Sequence, residues 1–303
     1  MRILLPIDQS KDSKVAISLL QKMKWPAGST LIILHVTTMH DEMTAGGSSR
    51  SQKKTLDDSG KLPLSVRSEL RRLEKQFASK ALQVQSMVVS GVPGQEILSV
   101  IRKEKIDIAV LGSRGLSRIS GLLLGSVSEW VLKDASCSVL IGRPTARKAK
   151  SSSNLNILLP TDGSRDSWKA VDVLKSIEFS VDTTLTLIHV IKKKIYETGQ
   201  VLGSVGKSRT EFARLAKDLC GDRGSAGVDL LKDTRDALSS TGLKIRERLA
   251  FGHEAQEILK AAKLQKADLV IVGSKGLTGL RRLLMGSVAH TVSQHAPCSV
   301  LVV

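Results

Sequence analysis

The chain is written twice. Asn156-Ile157-Leu158-Leu159-Pro160-Thr161-Asp162-Gly163-Ser164 repeats Arg2-Ile3-Leu4-Leu5-Pro6-Ile7-Asp8-Gln9-Ser10 at an offset of 154, and His189-Val190 repeats His35-Val36 at the same offset. From Gly91 onward the offset is 161, so the second copy carries seven extra residues in its middle. Gly112–Ile141 and Gly273–Val302 share 15 identities in 30 positions, which marks a duplication. The 303 residues therefore divide into two domains of like fold, expected at 1–142 and 154–303. Residues 143–153, Arg143-Pro144-Thr145-Ala146-Arg147-Lys148-Ala149-Lys150-Ser151-Ser152-Ser153, are basic, Ser-rich and without apolar period, the composition of an exposed linker.

Each copy alternates strands and helices. In the first, Ile3–Ile7, Leu31–Val36, Val84–Val89, Ile106–Leu111 and Ser138–Ile141 read as strands. Helical spacing fills Ser10 to about Met23, Ser65–Ser79, Gly94–Glu104 and Ser126–Leu132, while the polar stretch Met39–Lys61 looks mobile. In the second, strands are expected at Leu155–Pro160, Leu185–Val190, Leu243–Ala250, Leu269–Val272 and Ser299–Val302. Strands that are apolar throughout are covered on both faces, and helical crossovers make them parallel. The fold class is α/β: two tandem doubly wound domains, each a five-stranded parallel sheet with helices on both faces, Rossmann-like. Ligands in such sheets sit at the strands' carboxyl ends where the winding reverses, so the residues after strands one and four matter most.

Aromatic residues are only 3% of the chain, so the cores must be aliphatic. Cys137, Cys220 and Cys298 have neither disulfide-framework nor zinc spacing, which points to a reducing cytoplasm. No apolar run approaches the roughly 20 residues of a membrane span, and Met1 opens no signal-peptide pattern. The net charge is +17, with 24 basic and 13 acidic residues up to residue 150 and 22 and 16 after it. Such an excess attracts anions, but nothing resembles a specific nucleic-acid motif.

After strand four the copies read Gly112-Ser113-Arg114-Gly115 and Gly273-Ser274-Lys275-Gly276, each followed after nine intervening residues by Gly125-Ser126 or Gly286-Ser287. Glycines let backbone approach a phosphate, and the last pair opens a helix whose first amides and hydroxyl face one point. Arg114, Arg118, Lys275 and Arg282 can add charge-assisted contacts. The alternative is a glycine-punctuated connection with a capping serine. Spacing kept in both copies, after a strand and before a helix, favours anion binding. It is no P-loop, because no Gly-Lys-Ser/Thr closes it, and no dinucleotide fingerprint, because it follows strand four.

With these residues in view, each copy resembles the universal stress protein family, whose ATP-binding branch carries G-x2-G-x9-G-[S/T]. The resemblance implies ATP, with or without Mg, held by Gly112, Gly115, Gly125 and Ser126 in the first copy and by Gly273, Gly276, Gly286 and Ser287 in the second. It places Asp8 and Asp162 at the nucleoside, where a carboxylate can accept from a ribose hydroxyl or an adenine amine; capping the next helix is their other role. It sets Val36 and Val190 beside the adenine, and it implies pairing through the last strands, within the chain as a pseudo-dimer or between copies. The family's Gly-x-Pro after strand three is present as Gly91-Val92-Pro93 but is Gly252-His253-Glu254 in the second copy, a departure on the purine side.

No catalytic group declares itself, and no metal ligand set is expected. His35 and His189 lie within buried strands and read as core histidines, while His290 and His295 are five apart and occur in the second copy alone. Cys137 and Cys298 start the last strands, where a small hydrophobe is wanted. The resemblance allows at most slow ATP hydrolysis or self-phosphorylation. Three functions compete: a nucleotide-responsive regulator of stress survival, an adaptor that docks partners through its basic surface without nucleotide, and a related adenylating enzyme. The last usually shows Ser-Gly-Gly-x-Asp-Ser after strand one, which Asp8-Gln9-Ser10 and Asp162-Gly163-Ser164 lack.

Overall fold

The structure is a computed structural model that describes residues 1–8, 10–38, 62–78, 82–115, 124–144, 154–180, 182–192, 201–203, 208–277 and 285–303. The polar stretch 39–61, Gln9, Arg118, Arg282 and most of the linker lie outside them. The chain forms two compact units, Met1–Arg143 and Pro144–Val303.

The first unit runs β1 (Arg2–Ile7), α1 (Lys11–Gln21), β2 (Ser29–Thr37), α2 (Leu64–Phe77), β3 (Leu82–Ser90), α3 (Pro93–Lys103), β4 (Ile108–Gly112), α4 (Ser126–Asp134) and β5 (Ser138–Gly142). Its strands lie in the order β3-β2-β1-β4-β5, all parallel. The chain winds outward from β1 to β3, then returns to β4 on the other side, so the reversal falls between β1 and β4. Ile3, Leu4 and Leu5 on β1 and Ala109 and Val110 on β4 are wholly buried, as strands covered on both faces must be. Each such Leu or Ile contributes about 1.5–3 kcal/mol by leaving water. By contrast β3 alternates toward solvent through Gln83 and Gln85. Polar alternation of this kind suits the last strand of a sheet.

Local chemistry sets the helix ends. Ser10 caps α1, its Oγ accepting from the Ser13 N–H at 3.1 Å. Pro93 opens α3, where a missing N–H costs nothing, and Ile97, Val100 and Ile101 form its buried face. The expected strand at Ile106–Leu111 begins two residues later, because the Ile106 N–H is still bonded to the Ile101 carbonyl that closes α3.

The second unit runs β6 (Asn156–Pro160), α5 (Arg165–Ser176), β7 (Thr184–Ile191), β8 (Val201–Gly203), α6 (Arg209–Cys220), α7 (Asp222–Ala237), β9 (Lys244–Phe251), α8 (Glu254–Leu264), β10 (Leu269–Val272), α9 (Ser287–His295) and β11 (Ser299–Val302). Its order is β11-β10-β6-β7-β9-β8. The five expected parallel strands are present, and β8 adds a short antiparallel one, Val201 opposite Ala250. The largest fully buried side chains of the chain are Phe212 and Phe251, followed by isoleucines and leucines, so both cores are aliphatic in bulk. Among the described residues no helix is long and apolar enough to cross a membrane.

Burial pushes the Cys137 thiol up to about 11, with the Asp107 charge adding to the effect. Relative to an ordinary thiol, about a hundredfold less thiolate is then present at pH 8. Iodoacetamide labelling followed by peptide mass spectrometry should find the half-buried Cys137 alkylated far more slowly than free cysteine; equal rates would contradict the raised thiol.

Candidate functional site

The reversal between β1 and β4 brings two loops together. Asp8, just past β1, accepts the Ser10 N–H on Oδ1 at 3.0 Å, and its other oxygen faces Gly115 in the loop after β4. A Cβ built on Gly115 would fall 2.9 Å from Asp8 Oδ2. The second unit repeats the arrangement. Asp162 Oδ1 accepts the Ser164 N–H at 2.9 Å, Oδ2 accepts the Leu277 N–H at 3.2 Å, and a Cβ on Gly276 would lie 2.8 Å from Oδ2. Helix capping therefore belongs to Ser10 and Ser164, and the aspartates are left facing the glycine loops.

The serines also tie the loops down. Ser10 Oγ donates to the Arg114 carbonyl at 3.2 Å, and Ser164 Oγ to the Lys275 carbonyl at 3.3 Å. The glycine loop closes on itself as well, because the Gly125 N–H donates to the Ser113 carbonyl at 2.7 Å and the Gly286 N–H to the Ser274 carbonyl at 2.8 Å. This corrects one expectation: the amides of Gly125 and Gly286 are spent inside the loop. The amides left for a ligand are those of the first turns of α4 and α9, Ser126–Ser128 and Ser287–Ala289, where no side chain among the described residues caps the helix. Unsatisfied first-turn amides and the helix dipole together favour an anion. Ser126 and Ser287 are exposed there, as is Arg114, while Lys275 is half-buried.

Gly112 and Gly273 have a different task from the other motif glycines. A Cβ on Gly112 would lie 2.7 Å from the backbone of Asp12 and Ser13, and one on Gly273 would lie 2.6 Å from the Asp166 carbonyl carbon. The space they leave is occupied by α1 and α5. Val36 and Val190 stand one strand over, half-buried near the ends of β2 and β7. His35 Nδ1 lies 3.3 Å from the Ile7 carbonyl and His189 Nδ1 2.8 Å from the Thr161 carbonyl. A carbonyl only accepts, so Nδ1 carries the proton and each ring braces the backbone just before the site aspartate. In the second unit Glu254, which replaces the proline of Gly91-Val92-Pro93, has Lys192 Nζ at 3.9 Å, a surface pair of small energetic weight. Among the described residues no group of three His, Cys, Asp or Glu is placed to hold a metal.

Sequence reasoning passed over Asp12 and Asp166, whose carboxylates accept from the hydroxyls of Ser113 and Ser274. Their recurrence at the same offset of 154 was the available signal.

The profile of the universal stress protein family matches residues 1–143 and again residues 154–303. The chain belongs to the universal stress protein family. Universal stress protein YxiE of Bacillus subtilis is 29% identical over 147 residues, covering 48% of this chain and 97% of its own length. A universal stress protein of Methanocaldococcus jannaschii is 34% identical over 147 residues, 48% of this chain and 80% of its own. Each relative thus corresponds to one domain of this universal stress protein. The crystal structure of a universal stress protein from Archaeoglobus fulgidus covers 99% of the chain and 97% of its own, with a TM-score of 0.59 and 20% identity. That likeness concerns the fold, which this universal stress protein carries twice, in keeping with a stress-response role.

Proposed function

We propose that both domains bind an adenine nucleotide, ATP foremost, and that the protein is a nucleotide-responsive regulator of stress survival. The observation that carries the reading is the duplicated meeting of three parts at the sheet's reversal: an aspartate carboxylate turned to the glycine loop, a glycine beneath it and a helix first turn without a side-chain cap. The gap that a Cβ on Gly115 or Gly276 would fill suits close approach of a ligand to backbone. The phosphates would lie on Ser126–Ser128 and Ser287–Ala289, with Arg114 and Lys275 in reach to balance charge. Asp8 and Asp162 would accept from the ribose or the adenine amine, with the backbone of Val36 and Val190 bordering the base. Mg would travel on the triphosphate itself.

Among the described residues His35 and His189 are bonded to backbone, and the Cys137 thiol is pushed up by burial, so none of these three offers an obvious catalytic group. A bound nucleotide read as a signal fits better. Pairing along the last strands, β5 and β11, whether within the chain or between copies, belongs to the same proposal, as does a reducing, cytoplasmic setting.

Two measurements test the reading. Small molecules released from the purified, denatured protein should include ATP when analysed by mass spectrometry. Calorimetric titration of the stripped protein should then show ATP binding at up to two sites per chain. No binding of ATP, ADP or AMP at about millimolar concentration, roughly −4 kcal/mol, would refute it and favour the adaptor that works through its basic surface.

A further inference from the structure

Each copy places a buried carboxylate beneath its glycine loop. Asp12 and Asp166 sit in the first turns of α1 and α5, only 7% and 9% exposed. A buried carboxylate is costly unless bonded, and the first turn of a helix recovers only part of that cost. In both copies a further part comes from a serine about a hundred positions away. Ser113 Oγ donates to Asp12 Oδ2 at 2.6 Å, and Ser274 Oγ to Asp166 Oδ2 at 3.0 Å.

That serine is the joint of the loop. The Ser113 N–H donates to the Gly142 carbonyl at 2.9 Å, and its own carbonyl accepts the Gly125 N–H. Ser274 repeats both bonds, with the Val303 carbonyl at 2.7 Å and the Gly286 N–H. Its side chain adds a third tether, to the first helix of the domain. In the second domain burial draws the Asp166 carboxyl upward. Lys169 Nζ at 2.8 Å, the Ser274 hydroxyl and the Lys275 amide outweigh burial and hold it below the usual carboxylate range.

We infer that Asp12 and Asp166 are positioning residues for the two glycine loops, each acting through the hydroxyl of Ser113 or Ser274 to hold the described ends of its loop, residues 112–115 and 125 or 273–276 and 286, in place for a ligand. The ligand half of this inference rests on the nucleotide reading; the loop-ordering half does not. A loop fixed before binding loses less entropy when the ligand arrives.

The test uses the full chain with Ser113→Ala, Asp12→Ala and Asp12→Asn. Asparagine keeps an acceptor oxygen for the Ser113 hydroxyl, so it separates the bond from the mere presence of a side chain. Hydrogen exchange of the Ser113 and Gly125 amides, both bonded in the native loop, is the first readout. Ser113→Ala and Asp12→Ala should speed it about tenfold while amides of β1 and β2 stay as in the wild type. Asp12→Asn should bring exchange back to near the wild-type rate. ATP affinity at the first site is the second readout, expected to weaken about tenfold in the alanine variants and to recover in Asp12→Asn.

Unaltered exchange in Ser113→Ala, which removes a single oxygen and leaves the backbone bonds in place, overturns the inference. So does unaltered ATP affinity in both alanine variants when the wild type binds. If the wild type binds no nucleotide but exchange rises as stated, the nucleotide reading fails and the loop-ordering role stands. Should Asp12→Ala fail to fold, Ser113→Ala and the matching Ser274→Ala decide the matter.

Discussion

Gly112→Val should unfold the first domain while leaving the second intact. The added Cβ would fall 2.7 Å from the Asp12 carbonyl carbon and the Ser13 nitrogen, and 3.1 Å from the Asp12 oxygen. Those atoms are backbone and cannot swing aside. They belong to a helix turn fixed by the Ser10 cap, and β4 is held between β1 and β5 on the other side. Overpacking of this kind costs about 1–3 kcal/mol or more. Displacing the Asp12–Ser113 bond adds about 1.5–3 kcal/mol, the range for a bond to a charged group. A small domain has little more than that to lose. Chemical denaturation should show the first domain's transition lost or far shifted and the second's in place, with Gly273→Val giving the mirror result. A Gly112→Val protein that denatures like the wild type would mean that α1 does not lie against the end of β4.

Three residues on, the same substitution should do the opposite. At Gly115 the new Cβ meets Asp8 Oδ2 at 2.9 Å, the far end of a flexible side chain, and the backbone there needs no positive φ. The carboxylate can rotate away at a cost of roughly 1 kcal/mol, within the range of an off-rotamer side chain. The fold survives, but valine now occupies the gap and the site aspartate is displaced. ATP affinity at the first site should fall by about a hundredfold or more, near 2.7 kcal/mol, with circular dichroism and melting close to wild type. Gly276→Val should act alike in the second domain. Wild-type affinity in Gly115→Val would remove this loop from the nucleotide site. Parallel loss of fold and affinity would mean that Gly115 is a packing glycine like Gly112.

The contrast between these two glycines shows what a sequence reveals and what it hides. Strands such as Ile3–Ile7 could be read directly, because a run that is apolar at every position has to be covered on both faces. That the winding reverses beside strands one and four was legible too, since a doubly wound parallel sheet places its ligand crevice there. The site's neighbourhood followed from that reversal. The division of labour within the glycine motif was not legible, because it depends on α1, about a hundred residues earlier, lying against the end of β4. The Asp12–Ser113 bond was hidden for the same reason. Nor did periodicity announce β8, since three residues carry too little pattern, and the strand is defined by its bonding along β9. Helix α6 went unread with it.

The added strand also changes what the two sheets can do at their rims. Among the described residues β3 ends the first sheet with nine residues, a rim long enough to accept another strand along most of its length. β8 ends the second with three, opposed to the direction of its neighbour, and offers an incoming chain almost no row of amides to follow. Growth from copy to copy through these two rims would need both to be adhesive. Unlike rims of this kind disfavour open-ended growth of that sort.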